Sequence, residues 1–280
     1  MRTHPLFIQI RLFIRYLGFY LKAKTKYDVD SPFVTSFINH VLEDNRFFYA
    51  FSLIKWVRQQ LLKDSSKLQI TDYGAGSLLT SSNQREVRHI ARHGAINDRQ
   101  GRYLFKISHF YRPELTIELG TSLGISTLYF ALADSRHQVI SVEGSEAIAE
   151  RAAETIHGLR TPNISLIQDT FDKALDKILK ESPKVDLVYL DGDHRKGSSI
   201  RYFERCLPHF HEKSIMIVAD IYWSVEMQTA WNQMKSHPSV SLAIDLFDFG
   251  ILFFDQAIRE KVDLKLVPIR YKPWRIGLFR

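Results

Sequence analysis

The sequence predicts a doubly wound α/β fold: a mostly parallel sheet with helices on both faces, an antiparallel C-terminal hairpin and a helical N-terminal extension. From Leu115 onward, short apolar runs alternate with segments of helical spacing, which is typical of a parallel sheet covered on both faces. Two later apolar runs, 241–246 and 250–254, stand close enough together to pair as a hairpin. Between Leu6 and Phe51 the chain is aromatic and basic, and we interpret this part as helical.

The predicted sheet is built from repeated βα units. Strands are expected at Thr116–Leu119, Val139–Val142, Ile164–Ile167, Val185–Leu190 and Ser214–Ala219. Helices are expected between and after them at Ile125–Ala133, Glu146–Leu159, Phe171–Lys180, Ser198–Pro208 and Glu226–Lys235. Because a helix follows each strand, the strands are predicted to run parallel in a doubly wound sheet.

The amino-acid composition limits the classes of protein to which this chain can belong. The 280 residues are 45% hydrophobic, which is enough for one substantial core. The net charge of +7 favours anionic partners. Cys206, the single cysteine, cannot form an internal disulfide and is expected to be buried in a helix, which fits a cytoplasmic protein. No apolar run reaches the roughly 18 residues of a membrane span.

The chain divides into three predicted parts: an extension at 1–98, a catalytic domain at 99–256 and a basic, aromatic tail at 257–280 without clear periodicity. In the extension, Ser31 and Pro32 indicate the start of a helix that reaches Leu42. The stretch Leu6–Leu21 is apolar on nearly every face. It is expected to pack on the protein's own core or in a homodimer, to form a lid, or to contact a membrane surface peripherally.

A glycine turn is the first candidate ligand site. The run from Glu118 to Ser126 follows an apolar strand and opens a helix, and its glycines, Gly120 and Gly124, let a ligand approach the backbone closely. Glu143 ends the next strand roughly 20 residues further on, where an acid accepts hydrogen bonds from ribose hydroxyls. The glycine spacing and the acidic start disfavour a pyrophosphate. They suit a cationic cofactor without phosphate, such as S-adenosylmethionine.

Four motifs carry a family resemblance. They are Glu118-x-Gly-x-x-x-Gly, Val142-Glu-Gly, Gln168-Asp169 and Leu190-Asp-Gly-Asp-His194, and together they resemble the successive motifs of class I S-adenosylmethionine-dependent methyltransferases. The likeness spans roughly 99–254 and is greatest to small-molecule O-methyltransferases of the catechol and caffeoyl-CoA type and to sugar O-methyltransferases with an Asp-x-Asp motif. It implies a Rossmann-like fold and methyl transfer to a small or conjugated hydroxyl acceptor.

The resemblance also implies a cofactor site. Glu143 would hold the ribose, Asp169 would border the adenine, and Asp191 would face the methionine end and the reacting methyl group. The implied cofactor-binding residues are Glu118, Gly120, Thr121, Ser122, Gly124, Ser126, Glu143, Gly144, Asp169 and Asp191. An ordinary βα connection without a ligand is the alternative interpretation of the glycine turn.

Catalysis is expected at Asp191-Gly-Asp-His194, because a hydroxyl acceptor must lose its proton near the moment of attack. Asp193 is the first choice for the base and His194 the second. Alternatively, Asp193 caps a helix beginning near Gly197 and His194 is a surface or packing residue.

A metal ion is not predicted. Related enzymes often hold magnesium with the motif aspartate plus an Asp-Asp or Asp-Asn pair, and here that pair is replaced by Asp220-Ile221. Asp191 and Asp220 would be the ligands if a metal ion binds, but a hard cation needs more oxygen ligands than these two carboxylates supply. Tyr222 and Trp223 follow at the rim, where packing is the favoured role.

Other functions are weighed against this one. A second glycine turn, Asp72–Ser77, is a rival cofactor site, a loop over the substrate or a structural turn. Methylation of nucleic acid or protein fits the charge, but the chain has no Asn/Asp-Pro-Pro-aromatic motif and no evident RNA-binding module. A non-catalytic membrane-surface protein that retains the fold is the third alternative.

Overall fold

The protein is organised around one large sheet, seen in a computed structural model that describes residues 5–70, 84–258 and 261–274. The eight strands of this sheet are β3 (Leu115–Leu119), β4 (Gln138–Glu143), β5 (Ile164–Gln168), β6 (Leu187–Leu190), β7 (Ile215–Ala219), β8 (Leu242–Asp245), β9 (Phe249–Phe253) and β10 (Val262–Lys265). A separate two-stranded sheet pairs β1 (Lys67–Gln69) with β2 (Gln84–Glu86).

The strand order of the large sheet is β10-β8-β9-β7-β6-β3-β4-β5. Five adjacent strands of this order, β7, β6, β3, β4 and β5, are parallel, as the alternating pattern predicted. Every residue of β6 and β7 is buried, because helices cover both faces of the sheet. The hairpin is confirmed as antiparallel β8 and β9, and β9 also pairs antiparallel with β7.

Helices fill the connections. They are α1 (Pro5–Lys22), α2 (Pro32–Phe37), α3 (Tyr49–Lys63), α4 (Val87–His93), α5 (Asp98–Tyr111), α6 (Ile125–Ala131), α7 (Glu146–His157), α8 (Phe171–Glu181), α9 (Lys196–Cys206) and α10 (Val225–Ser236). The five helices predicted from α6 to α10 are confirmed, with ends that differ by a few residues. Strand order reverses at β3, which pairs with both β4 and β6. Open sheets bind ligands at such a reversal, beyond the carboxyl ends of the strands.

The N-terminal extension begins its second helix where the sequence indicated. Ser31 caps α2, since its hydroxyl accepts a hydrogen bond from the Val34 backbone N–H, and Pro32 occupies the first helical position. The helix then continues to Leu42 through a π-helical turn, Ile38–Leu42. The small β1–β2 hairpin was not predicted as a pair, because its strands have only three residues each.

Helix α1 presents an apolar stripe to solvent. Its opposite face packs on the loops that follow β7 and β8, where Phe19 is 2% exposed and contacts Tyr222 and Phe247. The outward stripe consists of Ile10, Phe13, Ile14, Leu17 and Leu21. No helix in the described ranges is both long and apolar enough to cross a membrane. Contact of this stripe with a membrane surface or a second subunit stays a prediction.

Two expectations from the sequence have clear outcomes. The tail, which shows no clear periodicity in sequence, contains β10, which adds to the sheet in parallel with β8 and was not predicted. Cys206 is confirmed as a buried residue of α9. The glycine turn Asp72–Ser77 lies outside the described residues.

Candidate active site

A cavity of about 610 Å³ lies beyond the carboxyl ends of β3, β4, β6 and β7. Its wall includes the glycine turn after β3, Glu143 at the end of β4, and the loops that follow β6 and β7. Trp223 lines it as well and is 38% exposed, so it lies at the rim, whereas Tyr222 is buried and stacks on Phe247. This is the place at which the reversal of strand order predicts a ligand.

Both glycines of the glycine turn have positive φ. Gly120 has φ +115°, and a Cβ there would lie 2.3 Å from the backbone oxygen of Asp191. Gly124 has φ +83° and begins α6. A side chain at Gly120 would therefore be strained by its φ and would collide with the loop after β6, which explains why the turn needs glycine.

Glu143 ties the turn to the next loop. Its carboxylate accepts hydrogen bonds from the backbone N–H groups of Ser122, at 2.9 Å, and Ser145, at 3.0 Å. These two bonds hold the carboxylate at the cavity wall, between the glycine turn and the loop after β4.

Glu118 lies inside the fold, behind the cavity wall. It is fully buried, and its Oε2 accepts hydrogen bonds from the hydroxyls of Thr127 and Ser141. Its Oε1 has no hydrogen-bond partner of standard geometry among the described residues. Burial raises the pKa of this carboxyl to about 7, the hydroxyls of Ser126, Ser141 and Thr127 oppose the rise, and the charge of Asp191 adds to it.

Three ionisable side chains converge at the ends of β6 and β7. Asp191, His194 and Asp220 each offer an atom within 4.8 Å of the others, and His194 Nε2 lies 3.7 Å from Asp220 Oδ2. The Tyr189 hydroxyl donates a hydrogen bond of 2.8 Å to Asp191. These three side chains form one acid–base cluster in the cavity wall.

The surroundings shift the pKa values of both aspartates upward. Burial raises the pKa of Asp191, and the charge of His194 opposes it. Burial within the cavity walls raises the pKa of Asp220 to about 6, His194 opposes this, and the carboxylates of Asp191 and Asp248 raise it further. Each acid therefore resists ionisation unless a cation is close, and His194 is the nearest group that can become one.

Asp193 points away from this cluster into an ion pair. Its carboxylate accepts a hydrogen bond from the Arg195 guanidinium, and its backbone has φ +47°. The following helix begins at Lys196 with Arg195 as its N-terminal cap residue. The alternative in which Asp193 caps this helix is therefore wrong, because Arg195 holds the cap position and no side chain makes a capping hydrogen bond there.

The predicted site residues fall into two groups. Those in the cavity wall are Gly120, Ser122, Glu143, Gly144, Asp191, Asp193 and His194, together with Asp220. Those outside the described wall are Glu118, Thr121, Gly124, Ser126 and Asp169. Asp169 accepts a hydrogen bond from the Thr170 backbone N–H, and the Thr121 hydroxyl bonds Ser141 inside the fold.

Sequence reasoning missed several wall residues. Phe171, the first residue of α8, lines the cavity, and a Cβ on Gly192 would lie 2.5 Å from its ring. Tyr189 and Asp248 also line it. A signal existed for Phe171, which follows a strand end by a few residues, whereas Asp248 sits in the tight turn between β8 and β9 and carries no local motif.

Comparison with known proteins supplies the family. The model of a methyltransferase domain matches residues 117–221, which run from β3 through the loop after β7 and include the glycine turn, Glu143, Asp191, His194 and Asp220. This part of the chain is similar to methyltransferase domains. The match agrees with the resemblance stated from the four motifs, and solved methyltransferases share the fold.

Solved structures share the fold of this methyltransferase domain. An O-methyltransferase from Bacillus cereus, in complex with S-adenosylhomocysteine, is 17% identical, with 78% of this chain and 95% of that chain covered and a TM-score of 0.53. An O-methyltransferase from Streptomyces achromogenes, in complex with S-adenosylmethionine and involved in tomaymycin synthesis, is 14% identical, with coverages of 79% and 94% and a TM-score of 0.54. A methyltransferase from Podospora anserina with bound S-adenosylhomocysteine is 13% identical, with coverages of 81% and 97% and a TM-score of 0.55.

A curated relative of this chain is an uncharacterised protein of Sinorhizobium fredii. It is 29% identical over 178 residues, which are 58% of this chain. The match spans 19% of that relative's length.

Proposed function

We propose that this protein is an S-adenosylmethionine-dependent O-methyltransferase that acts on a small or conjugated hydroxyl acceptor. One observation carries the proposal: the acid–base cluster Asp191, His194 and Asp220 lines the same cavity as the glycine turn and Glu143. A methyl donor and a group that can take a proton from a hydroxyl would meet in one cavity.

The residues of the wall fit the cofactor. Gly120 lets the glycine turn pack against the loop after β6, and Glu143, which the N–H groups of Ser122 and Ser145 hold at the wall, would face the ribose hydroxyls. Asp191 would face the cationic methionine end, with attraction between opposite charges across a partly buried space. When bound, S-adenosylmethionine supplies a methyl group activated by its positive sulfur.

His194 is the proposed base, in place of Asp193. Its ring lies in the wall with Nε2 3.7 Å from the Asp220 carboxylate, whereas the Asp193 carboxylate is held by Arg195. In its neutral form the imidazole takes the proton of the acceptor hydroxyl, and ionised Asp220 stabilises the imidazolium that results. From the sequence alone, Asp193 is instead the first candidate for the base and His194 the second.

The same three side chains are also a possible ligand set for a divalent cation. The set differs from the oxygen-rich sites that magnesium prefers, because an imidazole is among the donors and Ile221, next to Asp220, offers none. A nitrogen donor suits zinc, iron or nickel better. If a metal ion binds, Asp191, His194 and Asp220 would hold it, and it would lower the pKa of the acceptor hydroxyl. Chelators would then abolish turnover, whereas they would leave a His194 base unaffected.

The test uses binding and turnover separately. Calorimetry with S-adenosylhomocysteine should show binding to the wild-type protein and equally to His194→Asn. Turnover is followed as S-adenosylhomocysteine formed from S-adenosylmethionine with a panel of hydroxyl-bearing acceptors. His194→Asn should lower it by about 10²–10⁴-fold, with Asp193→Asn as the matched control. Absence of cofactor binding in folded protein would refute the proposal. Turnover close to that of the wild type in His194→Asn, or turnover that is lost on dialysis against EDTA and restored by a metal, would refute the assignment of His194 as the base.

A further inference from the structure

A second cavity, of about 290 Å³, lies next to the first part of α5 and away from the proposed active site. Its wall combines the loop after the π-helical turn, one face of α5 and Arg270 near the end of the described chain. The cationic side chains in this wall are Arg46, Arg99, Arg102, Lys106 and Arg270, against two acids, Asp44 and Asp98. The wall is therefore strongly positive.

The acids do not neutralise all of these cations. Asp44 pairs with Arg46, and Asp98 pairs with Arg58, which is not part of the wall. Arg99 pairs with Asp248 of the active-site cavity. No ion pair to a carboxylate is found for the remaining three cations within 5–70, 84–258 and 261–274, and these are Arg102, Lys106 and Arg270.

Lys106 shows that this is more than a solvated basic surface. The residue is only 8% exposed, and its ammonium donates a hydrogen bond to the backbone oxygen of Asp44. Burial lowers its pKa, the Asp44 carboxylate opposes this, and the charges of Arg270, Arg102 and Arg46 lower the pKa further. A buried cation among other cations is electrostatically unfavourable, and an anion placed between them would relieve it.

Tyr103 adds a polar group to the same wall. The residue is 7% exposed, and its hydroxyl is buried without a hydrogen bond of standard geometry among the described residues. The guanidinium of Arg270 is its neighbour, and Arg270 also lies over the Tyr271 ring. A ligand oxygen in the cavity would accept from this hydroxyl, which has no other acceptor of good geometry.

We propose that this second cavity binds the phosphate group of a small molecule. Three cations from two parts of the chain, Arg102 and Lys106 on α5 and Arg270 near the C terminus, face one space that also contains a phenol hydroxyl. Guanidinium groups match phosphate oxygens through paired hydrogen bonds, and an ammonium adds a point charge. A tetrahedral dianion carries twice the charge of a carboxylate and accepts from donors in three dimensions, whereas the acceptor sites of a carboxylate lie near one plane.

The position relative to the active site is part of the inference. Arg99 lines the second cavity and Asp248 lines the first, and the two side chains form an ion pair 2.5 Å long. The first turn of α5 thus separates the two cavities, with Gln100 on the side of the first. The phosphate site stands on its own contacts and does not depend on methyl transfer.

The experiment measures binding of inorganic phosphate and pyrophosphate to the full chain by calorimetry, at constant ionic strength and with S-adenosylhomocysteine absent or saturating. Pyrophosphate should bind in both cases. Arg102→Gln and Arg270→Gln should each weaken it about tenfold, since each removes a charge-assisted hydrogen bond. Arg160→Gln, which changes an exposed arginine outside the wall, is the matched control and should bind as the wild type does.

Three results would overturn the proposal. One is no binding of either anion at millimolar concentration by folded protein. Another is equal weakening by Arg160→Gln, which would show a diffuse charge effect. The third is binding of nucleic acid with no binding of pyrophosphate, which would assign the basic wall to a polynucleotide. Phosphate and pyrophosphate binding can be measured even if the protein binds no S-adenosylhomocysteine. A failure of the phosphate site is therefore distinguishable from a failure of the proposed methyl transfer.

Discussion

Replacing Glu118 by glutamine should make the protein more stable above neutral pH. The carboxyl is fully buried in β3, and burial raises its pKa to about 7 from an ordinary value of 4.5. Glutamine keeps an oxygen to accept from Thr127 and Ser141, and its amide can face the Ser126 hydroxyl. The substitution removes the charge while it keeps the size of the side chain.

The expected magnitude follows from the shift. A group whose pKa is higher in the folded state favours folding most at low pH, and that contribution is lost as pH rises through the folded-state pKa. Between pH 4.5 and about 7 the unfolded chain ionises Glu118 and the folded chain does not. Each pH unit costs about 1.4 kcal/mol, so the wild type should lose about 3 kcal/mol relative to Glu118→Gln across this window.

The assay is urea unfolding of both proteins from pH 5 to pH 8.5, without cofactor, with the free energy of unfolding compared at each pH. The difference between the two proteins should grow up to about pH 7 and then stay constant. All other ionisable groups are shared, so their contributions cancel in this difference. Two parallel pH profiles would refute the idea that Glu118 is an ionisable group held in an unfavourable site.

Four further outcomes are expected. His194→Asn should lower turnover by about 10²–10⁴-fold with cofactor affinity unchanged, as measured by steady-state kinetics and calorimetry, and a similar loss in Asp193→Asn would argue against the proposed base. Turnover should rise with pH through about 6 as Asp220 ionises, and Asp220→Asn should lower the rate reached at high pH, because no carboxylate would then stabilise the imidazolium of His194. Gly120→Ala should lower the melting temperature and the cofactor affinity, because its Cβ would lie 2.3 Å from a backbone oxygen. Gly197→Ala is the control and should be neutral or stabilising, since a Cβ there meets nothing within 4 Å. Equal melting temperatures of the two variants would contradict this. Cys206 should react with thiol reagents only after unfolding, since burial raises its pKa to about 12, and rapid labelling of native protein would be inconsistent with the structure.

The local sequence pattern was sufficient to predict the fold and the position of the glycine turn. Alternation of apolar and helical segments predicted five parallel strands and their helices because burial on both faces demands nearly continuous apolar strands. The strand β10 could not be predicted from Val262–Lys265, since four residues of mixed polarity are a strand only when β8 supplies the hydrogen bonds. The buried position of Glu118 was also hidden, because an acid in a strand looks the same in sequence whether it faces a ligand or a cluster of hydroxyls.

The sequence by itself determined the doubly wound α/β fold and a glycine turn after its first parallel strand, in a region similar to methyltransferase domains. Only the tertiary structure decided which acid–base groups lie together. Asp193 and His194 are adjacent in sequence, yet one pairs with Arg195 and the other faces Asp220 from a different strand end. The positive second cavity likewise joins α5 to Arg270 near the opposite end of the chain. Periodicity reports burial along one segment, whereas a site depends on side-chain direction and on contacts between segments far apart in sequence.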